Sequence, residues 1–418
     1  MAVNDKNKGI KVSYTLRKVS SASFRKSFSF GRVIINFIKV ISIMMAFVVI
    51  VLAIFLAYTT IVDFRPSETF GLIVNNNSKT RIETGKPFKV TTFNIGYCGL
   101  DKNQDFFMDG GTMSRSSGRV QTMKNLEGIT DFLVNDDADI ILLQEVDENS
   151  SRSNHINEYK HLTERLSGTL TKPLSEAESG VQSETQSETL SGTKVVSYSD
   201  IFAINYRTAW VPIPAARPMG SVLSGLLVLN RFMTSEAVRY QFPGGEKWPV
   251  QLFELDRCFS VSRLPVFSGS STIAELVVIN LHLSAFDKGG EIRKLQLEYL
   301  QNYIAVEQSK GSYIIIGGDW NHVLPGTDLS SYKSTEEWPF WLQKLPASFS
   351  PQGFVWAVDG KIPSVRTDAK AYEEGVNFLS VIDGFLVSSN IEVIEVKGHS
   401  LGFEFSDHNP VTGVFSLK

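Results

Sequence analysis

The stretch Ile314-Ile315-Ile316-Gly317-Gly318-Asp319-Trp320-Asn321-His322 constrains the fold of this chain more than any other. A β-branched run without a polar face suits a strand covered on both sides, as strands are in layered α/β sheets. Two glycines free the backbone, and Asp319 and Asn321 then stand at the carboxyl end of the strand, where open α/β sheets collect ligands. The bland reading is an Asx turn that merely closes a loop. Recurrence decides between the two. Residues 88–94 alternate and close on Asn94, the apolar run 140–144 closes on Glu145, and 276–281 closes on His282. Val381-Ile382 leads into Asp383 and an apolar strand over 385–387, while Ser406-Asp407-His408-Asn409-Pro410 precedes a last strand over 411–415.

Helical patterns lie between these strands. Val120, Met123, Leu126, Ile129 and Leu133 share one face, 156–166 is amphipathic, and Ile292, Leu295, Tyr299 and Ile304 mark a helix over 291–307. Further strands are expected over 195–206, 225–229 and 251–265, a short helix over 338–345, and loop over 355–372. No period of 20–50 residues repeats, and strands alternating with helices predict one α/β layered domain.

The amino-terminal part obeys different rules. Nine of the 41 basic residues and one of the 44 acids precede Asp63, which leaves 32 against 43 and a net charge of -11 for the remainder. Residues 40–62 carry no charge, enough at about 20 residues per span to cross a bilayer. A buried core helix is rarely apolar on every face with basic residues on one flank alone. The run also exceeds the apolar core of a signal peptide, about 7 to 15 residues, and no Ala-x-Ala site precedes Asp63. The expectation is an uncleaved single-pass anchor in the cell membrane. Residues 1–39 are then a basic cytoplasmic segment, 40–62 the span, 63–85 a linker, and 86–418 an extracytoplasmic domain. Within that domain, 168–193 is dominated by Ser, Thr, Glu, Gln and Gly, too little apolar surface to offset ordering, and reads as a low-complexity insertion. Cys98 and Cys258 lack the spacing of a zinc site and read as apolar filler, the alternative being a single disulfide between them.

Polar residues at the ends of buried strands are costly unless they meet one another. Carboxylate and amide oxygens without cysteine suit a hard cation such as Mg²⁺, which would stabilise charge on a phosphoryl oxygen. His282 and His408 add proton transfer or hydrogen bonds to the same group. Thr92-Phe93-Asn94, Leu143-Gln144-Glu145-Val146-Asp147, Asn280-Leu281-His282-Leu283, Gly317-Gly318-Asp319-Trp320-Asn321, Ile382-Asp383 and Ser406-Asp407-His408-Asn409-Pro410-Val411 together resemble the ordered motifs of the endonuclease/exonuclease/phosphatase superfamily, over roughly residues 86–418. The resemblance implies a four-layered α/β sandwich, two packed mixed sheets with helices outside, hydrolysing phosphate esters with Mg²⁺ or Mn²⁺.

Motif by motif, it implies Glu145 as principal metal ligand with Asn94 beside it and Asp407 as a further oxygen donor. Asp319 would orient or deprotonate the attacking water, Asn321 would place the phosphate, and His282 would face the phosphoryl oxygens or leaving group. Asp383 would fix the tautomer of His408, which keeps two readings, base or electrostatic clamp. Arg152 and Arg366 read equally as phosphate ligands or as surface arginines. A net charge of -11 offers no general capture of a polyanion, which disfavours nucleic acid as substrate. Anchoring brings phospholipid headgroups within reach, so a sphingomyelinase-like phosphodiesterase is the alternative, although no exposed apolar hairpin for lipid insertion is legible. A reading of another class is a non-catalytic, membrane-tethered binding module; its signature, loss of the metal or proton-transfer residues, is missing from this sequence.

Overall fold

The computed structural model describes residues 30–168, 198–287, 289–349 and 351–418, together with Gly9 and Ser13. The insertion expected over 168–193, but for Gly168, and most of the basic segment 1–39 lie outside the described residues. The chain divides into two compact units, Met1–Ala57 and Tyr58–Lys418.

What is described of the first unit is chiefly helix α1 (Phe30–Ile61), whose last four residues belong to the second. No glycine or proline interrupts it after Gly31. Its most apolar 18-residue stretch has a mean hydropathy of 3.1 and is not buried among the described residues, so that stretch is apolar all round. Among the described residues it is the one helix long and apolar enough to cross a membrane. Its uncharged portion would extend roughly 33 Å at 1.5 Å per residue, matching a hydrocarbon core of about 30 Å.

The second unit is built on two mixed sheets. The first has the order β1 (Thr69–Gly71), β7 (Glu236–Gln241), β8 (Cys258–Ser268), β9 (Ser271–His282), β10 (Tyr313–Asp319), β16 (Asp383–Ser388) and β13 (Phe354–Ala357), with β2 (Ile82–Glu83) also paired to β8. The second runs β17 (Ile391–Gly398), β18 (Val411–Leu417), β3 (Pro87–Asn94), β4 (Ile140–Asp147), β6 (Gly220–Asn230) and β5 (Ser199–Val211). β9 and β10 are parallel, as are β3 and β4, so in each sheet two central strands end at the same edge. Short pairs join β11 (His322–Val323) to β12 (Gln343–Lys344) and β14 (Val365–Arg366) to β15 (Leu379–Ser380).

Alternation along the strands makes the layers. Ile140, Leu142, Val278, Ile315, Phe385 and Phe415 point inward and pack sheet against sheet. Their neighbours Ile141 and Leu143 point outward onto Leu126, Ile129 and Leu133 of α2 (Arg119–Asp136) and Leu162 of α3 (Glu158–Leu166). On the other side Ile314, Ile316, Val277 and Ile279 meet Leu297, Leu300 and Ile304 of α4 (Glu291–Ser309). The result is the four-layered α/β sandwich. It explains why residues 314–316 have no polar face: both faces are covered, each such side chain contributing about 1.5–3 kcal/mol of burial.

Several local expectations are corrected. The passage 63–85, expected as a linker, supplies β1 and β2, with Thr69–Gly71 paired antiparallel to β7 and Ile82 buried. Strands of two or three residues are too short to show a period. Residues 338–345 form no helix: the stretch between Pro339 and Pro346 is too short for helical cooperativity, and Pro346 disfavours a helical Leu345. There Trp338 Nε1 donates to Leu342 O at 2.7 Å and β12 follows. Val120 is 86% exposed, and α4 buries Arg293, Leu297, Leu300 and Ile304 while Leu295 is exposed. Residues 355–372 include parts of β13 and β14, and 251–265 begins as a 3-10 turn, Val250–Phe253, with the strand starting only at Cys258.

Candidate active site

The inward alternation of β10 runs Ile315, Gly317, Asp319, so Asp319 emerges at the open end of the seam between the sheets. Register then gathers its neighbours. Asp319 is level with His282 on parallel β9 and with Asp383 on antiparallel β16. From the facing sheet, Asn94 at the end of β3 is level with Gln144 on β4, one residue before Glu145. Gly318 makes the turn into the site possible: its φ is +142°, and an added Cβ would lie 2.1 Å from Leu281 O.

Asn94 Nδ2 donates to Asp319 Oδ2 at 3.0 Å and lies 3.5 Å from Glu145 Oε1, while its Oδ1 accepts from Gly96 N. The amide therefore restrains two acids across the sheets with its nitrogen toward them. His282 Nε2 lies 3.4 Å from Asp319 Oδ2, and Asn321 donates its main-chain N–H to Asp319 Oδ1 at 2.9 Å. The Asn321 side chain donates to Leu283 O at 2.7 Å. Beneath these groups Gln144 Nε2 donates to Asn280 Oδ1 at 2.8 Å, and Asn280 donates to Leu143 O and Leu227 O. This buried amide bridge locks the two sheets together below the site.

His408 and Asp383 form a pair, Nδ1 to Oδ2 at 2.8 Å. Ser364 Oγ accepts the N–H groups of Ile382 and Asp383, so its proton goes to Asp383 Oδ2 at 2.7 Å. Oδ2 thus accepts twice, His408 keeps a proton on Nδ1, and Nε2 faces Asp319 Oδ2 at 3.8 Å and Asp407 Oδ2 at 4.0 Å. Burial alone would depress His408, but Asp383 and Asp407 carry it well above its ordinary value. His282 goes the opposite way, lowered well below by burial and then by Arg257 and His408, which leaves a neutral imidazole. Burial and the charge of Asp383 push Asp319 up to about 7, against the pull of His408, the Asn321 N–H and the Asn94 amide. Asp407 is raised by burial and by Glu145, with His408 and Arg366 opposing.

Glu145, Asp319, Asp383 and Asp407 crowd one another, and burial first, with neighbouring carboxylates adding to it, raises Asp319 and Asp407. Such an oxygen-rich, sulfur-free set fits a hard divalent cation. One oxygen each of Asp319 and Asp383 and a nitrogen of His408 lie within 4.8 Å of one another. Because Asp383 Oδ2 is already taken by Ser364 and His408, that trio reads better as a proton-transfer group. Glu145, 20% exposed at its side chain with its contacts to Asn94 and Arg152 at 3.4–3.5 Å, is the freer donor, and Asp407 lies beside it.

Neither Arg152 nor Arg366 is a surface arginine, which corrects that alternative: both are buried. Arg152 clamps Asp147 through Nε and Nη2 at 3.2 and 2.9 Å, reaches Glu145 Oε2 at 3.4 Å, and stacks 4.1 Å from the Tyr97 ring centroid. Arg366 directs Nη1 to Thr367 O and Nη2 to the carbonyls of Leu100, Asp101 and Gln104, tying a loop to β14. Arg257 was not anticipated. It lines the same cavity as Glu145, Asp319 and His282, its Nη1 is buried without a hydrogen-bond partner among the described residues, and burial lowers its pKa against the attraction of Glu145 and Asp319. A signal existed: β8 runs antiparallel to β9, with Phe259 opposite Leu281, so residues just before β8 reach the edge where β9 ends in His282.

Acids and imidazoles gathered at the strand ends of two packed sheets define a phosphoesterase-type four-layered sandwich. The sequence model described as "Endonuclease/Exonuclease/phosphatase family" matches residues 91–408, well over half of the 418, and the chain belongs to that family. No curated protein matches. Similar solved structures include an endonuclease/exonuclease/phosphatase from Beutenbergia cavernae, at 14% identity over 79% of this chain and 72% of that one, TM-score 0.48. TDP2 from D. rerio, complexed with single strand DNA product, shares 14% identity over 79% of this chain and 99% of its own, TM-score 0.43. ANGEL2, a 2',3'-cyclic phosphatase, shares 16% over 85% and 99%, TM-score 0.46.

Proposed function

We propose that the chain is a membrane-anchored, divalent-metal-dependent phosphoester hydrolase that attacks phosphorus with an activated water. The observation that carries the reading is Asp319, which lies within 3.0–3.8 Å of Asn94 from one sheet, His282 from the other and His408 from the last loop. A carboxyl pushed up to about 7 in such a place is poised to take a proton from water near neutrality. Asn321 N–H fixes that carboxyl's orientation. Neutral His282 donates or accepts a hydrogen bond at the phosphoryl group, and Arg257 offers its unpartnered nitrogen to a phosphoryl oxygen. His408, held by Asp383, serves as electrostatic clamp, the role that its raised pKa favours over base.

Glu145 and Asp407 would hold Mg²⁺ or Mn²⁺, and Asn94 would join them if its amide turned. When bound, the ion would offset charge developing on phosphoryl oxygens. Arg152 acts through Glu145 and Asp147 as a positioning residue, and Arg366 holds the loop that borders the site. The basic residues before the uncharged run favour an amino terminus in the cytoplasm, with residues 63–418 outside.

The test is turnover of bis-p-nitrophenyl phosphate by the full chain in detergent with Mg²⁺, Mn²⁺ or EDTA, beside Asp319→Asn and Glu145→Gln. Metal-dependent turnover abolished by both substitutions is expected. Activity that persists in EDTA, or in Asp319→Asn, refutes the reading.

A further inference from the structure

The polar cluster occupies one end of a cavity of about 350 Å³. The rest of that cavity has no counterpart in a site built only for phosphate. Phe106, Phe107, Met219, Val250, Phe253 and Leu255 form a wall that leads away from Glu145 and Arg152. At its mouth Ile213 is 52% exposed, Val250 48% and the adjoining Trp248 60%. Exposed Trp210 and Ile213 flank buried Val211 at the tip of the β5–β6 hairpin, so exposed apolar side chains on a hairpin, not legible in the sequence, do exist. Large apolar side chains grouped at a cavity mouth mark an interaction surface, and tryptophan favours the membrane–water boundary.

The same mouth is tied to the place where the chain leaves its apolar helix. Trp248 Nε1 donates to Thr60 Oγ1 at 3.1 Å, one residue before α1 ends. Thr59 is buried, and the Phe64 ring lies 5.8 Å from the Arg207 guanidinium and 5.9 Å from that of Arg239. Residues 59–64 are therefore docked on β5, β7 and the loop that carries Trp248. Thr60 and Phe64 belong to the same compact unit as the mouth, so only a few residues of chain separate the mouth from the end of the apolar run.

We propose that the substrate is a membrane lipid carrying a phosphodiester. Its phosphate sits at the Asp319, His282 and Arg257 cluster and its apolar portion lies along the Phe106 to Leu255 wall. The inference rests on the phosphoesterase and anchor readings above and names their substrate class. Water adds to phosphorus, the bond from phosphorus to one ester oxygen breaks, and that oxygen leaves with a proton as the alcohol. A phosphomonoester and an alcohol result, and no other reactant is needed. From Asp63 onward the chain is acidic overall, so it offers no general attraction to a long polyanion, and a single headgroup needs none.

The experiment uses the full chain reconstituted into phosphatidylcholine vesicles, with and without sphingomyelin or phosphatidylglycerol, in Mg²⁺ or Mn²⁺. Glycerophosphocholine, single-stranded DNA and bis-p-nitrophenyl phosphate are assayed in parallel. At least one vesicle lipid is expected to be hydrolysed at least tenfold faster than glycerophosphocholine. Ile213→Asp and Val250→Asp should each lower the ratio of lipid to bis-p-nitrophenyl phosphate turnover tenfold or more. Bis-p-nitrophenyl phosphate turnover and thermal midpoint report whether each variant is folded; should either fail, Trp248→Gln tests the same ratio. Turnover of bis-p-nitrophenyl phosphate without any lipid hydrolysis, a ratio unmoved by the substitutions, or preference for DNA or glycerophosphocholine overturns the lipid assignment alone. Loss of every activity overturns the phosphoesterase reading, and this inference with it.

Discussion

Replacing Asp383 by asparagine isolates the charge behind His408. In the native protein Asp383 Oδ2 accepts from Ser364 Oγ at 2.7 Å and from His408 Nδ1 at 2.8 Å, while Oδ1 is buried without a partner among the described residues. The amide can keep its oxygen in the Oδ2 position and turn its nitrogen to the Oδ1 side, so both hydrogen bonds and the imidazole's direction survive and only the charge is lost. A hydrogen bond to a charged group contributes about 1.5–3 kcal/mol, against about 0.5–1.5 for a neutral one. If His408 meets the phosphoryl group as a cation, the difference is felt in full during turnover, together with the attraction of a cation no longer held. At about 1.4 kcal/mol per factor of ten, a difference of about 1–2.5 kcal/mol should lower kcat roughly 5- to 60-fold with KM little changed. Steady-state hydrolysis of bis-p-nitrophenyl phosphate by the full chain measures this, with thermal unfolding alongside to show that the fold persists. Asp383→Ala should cost more, because it leaves the Ser364 hydroxyl and the His408 Nδ1–H unsatisfied, at about 1–3 kcal/mol each. Native kcat in Asp383→Asn would refute the assignment of His408 as a charged clamp.

Gly318→Ala places a Cβ 2.1 Å from a main-chain oxygen at a φ of +142°, so β10 must part from β9. Stability should drop by at least about 2 kcal/mol, seen as a lower urea midpoint, with activity lost as Asp319 shifts. Arg257→Gln removes the cation facing Glu145 and Asp319 and should lower kcat/KM about tenfold or more while leaving stability in urea within about 1 kcal/mol, since its Nη1 makes no hydrogen bond among the described residues; an unchanged kcat/KM removes Arg257 from the phosphate site. His322 is pushed down to about 4 by burial, and then by Arg293, against its bond to Trp320 O. The unfolded chain therefore binds the extra proton first, and stability falls as pH drops from about 6.5 to 4, by about 3 kcal/mol for this group. His322→Asn should flatten that part of the urea midpoint against pH, and an identical slope in the variant would dismiss His322 as its source.

The convergence on Asp319 was legible because buried strands advertise their ends. A run such as Ile314-Ile315-Ile316 tolerates no charge along its length, so the first acid or imidazole after it marks the edge of the sheet. Parallel neighbours bring such edges together, and residues 94, 282 and 319 meet for that reason. What stayed hidden depends on contacts between segments with no local pattern of their own. β1 and β2 are held by β7 and β8 and have no period to read. Arg257 looks like any loop arginine until the antiparallel register of β8 carries it to the His282 edge. The apolar wall is assembled from residues near 106, 219 and 253, which are scattered along the chain and share only a cavity.

Backbone strain points to the same place by an independent route. Glu145, Asn321, Tyr97 and Cys98 have φ of 55°, 48°, 43° and 50°, left-handed values that cost a residue with a side chain roughly 1–2 kcal/mol. Glu145 shows what the cost accomplishes. Along β4, Ile140 and Leu142 face the other sheet, and Gln144 reaches Asn280 on it, so strict alternation would send residue 145 outward toward the helices and residue 146 inward. The ladder to β6 instead slips between Leu143 and Val146, and Val146 is found in the outer cluster with Leu143. One extra residue has been absorbed at Glu145, and its carboxylate is turned along the seam toward Asn94. A regular strand would be less strained and would leave no acid beside Asp407. Strain retained where it aims a carboxylate into a cavity, and not needed for packing, is what a functional role for Glu145 requires.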